Sequence, residues 1–178
     1  MEKCRWLILS LVLILAAALA AGCGSKPQEP QKEEAKEENK LQIGLSFDSF
    51  VIERWLGDRD MFVSTAQSLG AEVNVQVAGG VVEEQISQIE YFIKKKMDVI
   101  VVIAVDGNAL ENVVEEAQRE GIRVISYDRL LMNAKTDLYI SFDNEMVGTL
   151  MAEALKKALP DGGNIFAIYG SPTDYNTT

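Results

Sequence analysis

From Leu41 onward, apolar β-branched runs alternate with segments of helical period. The runs fall at 41–47, 71–77, 99–105, 122–127, 138–142 and 164–169, and each predicts a strand. Between them, Ile86, Ile89, Ile93 and Met97 recur three or four apart, which puts one apolar stripe on a helix through residues 84–96. Leu110, Val113, Val114 and Ala117 form a second stripe, and Trp55, Phe62, Val63, Ala66 and Leu69 a third. Lysines and glutamates fill the opposite faces. The runs "VIVVIAV" and "IRVIS" are apolar on both faces or nearly so, which suits a parallel sheet covered by helices on each side. Repeated strand–helix–strand units joined by short turns such as "SLGAE" and "REGIR" predict an α/β fold with a doubly wound parallel sheet. In such sheets ligands sit beyond the carboxyl ends of the strands.

The first 40 residues follow a different pattern. Lys3 and Arg5 precede the apolar run 6–21, which closes on "LAAGC" at Cys23. A charged head, an apolar middle and a small-residue exit predict a secretory signal over residues 1–22. As a membrane span the run is short of the roughly 20 residues needed. A cysteine directly after Ala-Ala-Gly resembles the lipobox of bacterial lipoproteins, which implies cleavage before Cys23 and lipidation of its thiol. With Cys4 lost in the signal, the mature chain holds one cysteine, so neither an internal disulfide nor a cysteine metal site is expected. Residues 24–40, "GSKPQEPQKEEAKEENK", carry two prolines, many charges and no large apolar side chain. They cannot offset the entropy of ordering and are expected to form a solvated tether.

Composition narrows the chemistry. The formal charge is −10, and losing Glu2, Lys3 and Arg5 with the signal makes the remainder more negative still. An acidic surface without a basic cluster argues against nucleic acid and against anionic substrates. The chain has no histidine, which removes a histidine zinc site and a Ser-His triad. The first turn, "GLSFDSF", lacks Gly-x-Gly-x-x-Gly, and no Gly-Lys-Ser/Thr loop occurs. "AGG" at residues 78–80 reads as a tight strand-to-helix turn, so phosphate recognition is disfavoured and no cofactor is expected.

The strand ends are polar. Phe47 and Asp48 end the first run, and Glu53, Arg54 and Trp55 open the following helix. Asp128 and Arg129 end the fourth run, Asp143 and Asn144 the fifth, and Asp174 and Asn176 follow the sixth. Asp48 and Asp143 suit helix caps, and the cap is favoured for Asp143-Asn144 ahead of "EMVGTLMAEAL". Trp55 suits core packing as well as it suits a site. Asp128 and Arg129 are harder to assign to structure alone: adjacent strand positions point to opposite faces, and a partly buried charge is costly without a partner. A sugar supplies partners, because its hydroxyls donate to carboxylates and accept from guanidinium. Its C–H face packs on an aromatic ring.

The segments "IGLSFDSFVIERWLGDRDMFV", "EEQISQIE", "VISYDR", "YISFDNEMVG" and "GSPTDYN" resemble the xylose-binding branch of the ribose-type periplasmic binding proteins of bacterial sugar transporters. The run Glu53-Arg54-Trp55-x-x-Asp58-Arg59-Asp60 is distinctive for that branch, and the likeness extends from Leu41 to the last residue. It implies a non-enzymatic, two-lobed protein that closes on one pentose and then docks on an ABC permease. Carried over by position, the ligand-binding residues are Arg54, Trp55, Asp128, Arg129, Asp174 and Asn176. Arg54 and Arg129 would donate, Asp128 and Asp174 accept, Asn176 do either and Trp55 stack. Residues 41–143 correspond to the first lobe and 144–178 to the start of the second, so a truncated form is expected. Its helix bearing Met146, Leu150, Met151 and Leu155 would lack most packing partners. A sensor role, passing the liganded state to a membrane histidine kinase, is the alternative. A repressor of the same fold would need a helix-turn-helix where this chain has a signal and a tether. An enzyme is least favoured.

Overall fold

A computed structural model describes residues 40–177. The expected signal at 1–22, the lipidated Cys23 and the tether up to residue 39 lie outside the described residues. Five parallel strands, β1 (Gln42–Phe47), β2 (Glu72–Val77), β3 (Val99–Val102), β4 (Arg123–Tyr127) and β5 (Leu138–Ile140), form one sheet in the order β2-β1-β3-β4-β5. Helices α1 (Arg54–Ser68), α2 (Val82–Lys94) and α3 (Glu111–Arg119) follow β1, β2 and β3, and α4 (Asn144–Ala158) follows β5.

The alternation of the pleat decides what each helix covers. Ile100, Val102 and Val124 face Ile89 and Phe92 of α2 and Leu110, Val113, Val114 and Ala117 at and within α3. On the other face, Ile43, Leu45, Phe47, Val101 and Ile103 meet Trp55 and Ala66 of α1. The sheet is therefore covered on both sides, as a doubly wound arrangement requires. Each large side chain buried this way stabilises by roughly 1.5–3 kcal/mol. The helix ends expected at "SLGAE" and "REGIR" turn on Gly70 (φ 83°) and Gly121 (φ 81°), in the left-handed conformation that glycine adopts without a Cβ clash.

Three expectations need correction. Residues 164–169 form no strand, and Phe166, Ile168 and Tyr169 are exposed. A strand needs a neighbour for its backbone hydrogen bonds, and no strand among the described residues pairs with this run. Leu69 falls one residue past α1 and is 80% exposed, so the third stripe ends at Ala66. The third run is strand only as far as Val102, because the amide of Val105 bonds to a side chain instead of a neighbouring strand. Helix α4 forms as expected, and none of its side chains is buried.

Candidate functional site

The two central connections leave β1 and β3 toward opposite faces of the sheet, which opens a crevice at the carboxyl ends of the strands. A hollow of about 400 Å³ lies at that edge. Its lining includes all six positions singled out from the sequence: Arg54, Trp55, Asp128, Arg129, Asp174 and Asn176. They reach it from the start of α1, from the turn after β4 and from residues 174–176.

Asp128 directs the geometry. The chain leaves β4 at Tyr127, and Asp128 takes φ 63°, a left-handed conformation that aspartate tolerates better than most residues. The pleat alternation expected for Asp128 and Arg129 stops there, and both side chains line the same hollow. The turn is held at several points. Asp128 N donates to Ile140 O at 2.7 Å, and its carbonyl accepts from Ser141 Oγ at 2.8 Å and Tyr139 Oη at 3.2 Å. Backbone strain of this kind persists only where neighbours over-determine it.

The two charges do not pair with each other. Asp128 Oδ2 accepts from Arg54 Nη2 at 2.6 Å, and Oδ1 accepts from Asn176 Nδ2 at 2.9 Å. Arg129 Nη1 donates to Asp48 Oδ2 and to Ala104 O, both at 2.8 Å. Its Nε lies 3.0 Å from Asp174 Oδ2 without the alignment of a hydrogen bond. Asp48 therefore braces Arg129 and caps no helix, whereas Asp143 does cap α4, accepting from Met146 N at 2.9 Å. Arg54 also approaches Asp58, one turn along α1, whose carboxylate accepts from Tyr127 Oη at 3.0 Å.

Electrostatics follow from these contacts. Burial alone would lower the Arg54 pKa, but the hydrogen bond to Asp128 and the charges of Asp128 and Asp58 outweigh it and raise it. The Tyr127 phenol is also held above its ordinary value, first by burial and then by its bond to Asp58. Trp55 packs in the core and also borders the hollow. It is 1% exposed, packs edge-on against Phe47, and turns part of its surface to the hollow. The Arg54 guanidinium stacks 4.1 Å from the centre of its ring and 5.3 Å from that of Phe142.

Three buried side-chain polar atoms lack a hydrogen-bond partner among the described residues: Trp55 Nε1, Arg129 Nε and Asp48 Oδ1. All belong to the hollow or to its immediate support. Such atoms are uncommon in folded proteins and need an explanation.

Sequence reasoning missed Ile52, Phe142, Asn144 and Val147, which also line the hollow. Asn144 was legible as a strand-end amide, but its side chain donates to Asn176 Oδ1 at 2.8 Å while Asp143 takes the cap. Phe142 sits in the same "SFDNE" segment, and an isolated aromatic there carries no signal of its own.

Comparison with known proteins agrees with this architecture. A family model for the periplasmic binding protein domain matches residues 43–178. The D-xylose-binding periplasmic protein of Haemophilus influenzae is 52% identical over 136 residues, 76% of this chain and 41% of that protein. Among solved structures, an ABC transporter solute-binding protein from Clostridium phytofermentans with bound β-D-glucose is 33% identical with a TM-score of 0.73, covering 76% of this chain and 44% of that one. The fructose-binding periplasmic domain of a hybrid two-component system is 25% identical with a TM-score of 0.69, covering 77% and 46%. The chain thus spans less than half the length of each of these three proteins. On fold, family match and sequence identity together, this chain belongs to the periplasmic binding protein family.

Proposed function

We propose that this chain supplies the first wall of an extracytoplasmic receptor that binds D-xylose or a similar monosaccharide without chemistry and delivers it to an ABC importer. Residues 41–143 would be its first lobe and 144–178 the start of the second, with lipidated Cys23 as the membrane anchor. The observation that carries the reading is the charge pattern of the wall. Arg54 and Arg129 face Asp128 and Asp174 around one hollow, so its charged groups cancel, and apolar Ile52, Trp55, Phe142 and Val147 complete the lining. That suits an uncharged polyol better than any ion, and charge-assisted bonds to its hydroxyls are the strong kind. Trp55 Nε1, a buried donor without a hydrogen-bond partner among the described residues, is in keeping with a ligand that completes it.

The likeness to the D-xylose-binding periplasmic protein favours xylose among the candidates. The likeness to a domain of a two-component system favours a second reading, in which the liganded state is passed to a membrane histidine kinase. Cross-linking in membranes separates the two readings, since recovery of a permease supports the first and recovery of a kinase the second.

Tryptophan fluorescence tests the ligand class. In a Trp6→Phe background Trp55 is the only indole, and D-xylose is expected to change its emission saturably. Asp128→Asn should abolish that response, and a sugar phosphate should give none. Indifference of Trp55 to every neutral monosaccharide would contradict the reading.

A further inference from the structure

We propose that Gln85, on α2 and outside the hollow, is a positioning residue for Arg129. Gln85 is fully buried. Its Nε2 donates to Ile103 O at 2.9 Å and to Ser46 Oγ at 3.1 Å, and its Oε1 accepts from Val105 N at 2.8 Å. One side-chain amide thus ties the backbone on both sides of Ala104, where the chain has left β3. The amide orientation is fixed by its partners, since a carbonyl needs a donor and an N–H an acceptor.

Ala104 is the residue between those two ties, and its carbonyl accepts from Arg129 Nη1. The same nitrogen bonds Asp48, so the carbonyl and the carboxylate together aim the guanidinium, with Nε 3.0 Å from Asp174 Oδ2. Val105 O further accepts from Thr173 Oγ1 at 3.4 Å, next to Asp174. The strap 103–105 therefore bonds Arg129 directly and reaches Thr173, the chain neighbour of Asp174. An apolar residue would fill the α2 position without the cost of desolvating an amide. A buried glutamine is accounted for if the strap needs a partner where no strand can supply one.

The unaltered chain gives the first test. The Val105 amide lies in no strand, yet it should exchange slowly with solvent; fast exchange would overturn the proposal. In Gln85→Met, nitrogen NMR should show the Arg129 Nε–H signal moved and its exchange quickened, while Gln85→Glu, which keeps the acceptor for Val105, should recover part of the difference. Ile89→Val, a core change on the same helix, should leave the signal in place. An unmoved Arg129 signal in a folded Gln85→Met would refute the positioning role, and should that variant not fold, Gln85→Glu is read against the unaltered chain by the same criterion.

The second readout rests on the sugar-binding reading: Gln85→Met should weaken D-xylose binding about ten-fold, the scale of one misaligned charge-assisted contact. If the unaltered chain binds no sugar, that reading fails, and the Arg129 signal still decides this one.

Discussion

At the residue scale, the two arginines of the hollow should behave differently when removed. Arg129 and its partner Asp48 have side chains only 13% and 10% exposed. Arg129→Met would strand a buried carboxylate, and urea denaturation is expected to show a loss of about 3 kcal/mol or more. Arg54 is 41% exposed and its partner Asp128 9%, but water can take the place of Arg54 and Asn176 still bonds Asp128, so Arg54→Met should cost less than Arg129→Met, about 1–2 kcal/mol. Equal losses would show that exposure does not set the value of these pairs. Tyr127 makes a prediction in pH. Its phenol is raised by burial and by Asp58, so its contribution to stability is fully present below the ordinary phenol range and is lost as pH rises through the raised value. Spectrophotometric titration should show a tyrosine step above the ordinary phenol range, and Tyr127→Phe should delete that step. The acid–base pair in "SYDRLL" was legible as a site because nothing in the strand explained it. Its actual pairings, with Arg54, Asp48 and Asp174, were not, since they depend on the left-handed turn at Asp128 and on residues up to 81 positions away.

At the element scale, hydrophobic periodicity carried most of the fold. The stripes Ile86–Ile89–Ile93 and Leu110–Val113–Val114–Ala117 do pack against one core, because a helix on a sheet buries whatever recurs every three or four residues. Periodicity said nothing of Gln85 and Gln88, polar residues buried on α2, since an amide at a core position reads as an interruption of the stripe. Nor could it show that residues 164–169 lack a strand neighbour, because pairing is set by tertiary contact and not by the run itself. Two glycines test the packing in opposite directions. A Cβ on Gly44 of β1 would come within 2.6 Å of the fully buried Phe92 ring, so Gly44→Ala should cost about 1–3 kcal/mol. Gly57 in α1 has nothing within 4 Å, and Gly57→Ala should stabilise by about 0.5–1 kcal/mol through helix propensity. Thermal melts of the two variants should move apart, one down and one up.

At the scale of the whole molecule, apolar surface is the dominant feature away from the sheet. Met146, Val147, Leu150, Met151 and Leu155 of α4 are each 45–64% exposed, and Phe166 and Ile168 nearly fully so. Exposed patches of that kind drive association. Sedimentation should therefore show concentration-dependent self-association, reduced by Leu150→Glu together with Met151→Glu. The same surface bears on ligand affinity. On the proposed reading this chain forms one wall of a cleft and makes only part of its contacts, so its own binding should be weaker than about micromolar. Micromolar affinity of the monomer would mean that the hollow needs no second wall. The most direct measurement is a nitrogen NMR titration of the chain with D-xylose, following the Trp55 Nε1–H and Arg129 Nε–H signals. Both should shift together and saturate at millimolar sugar, and both should stay still in Asp128→Asn. If neither signal moves while other surfaces respond, the side chains around the hollow do not hold the sugar.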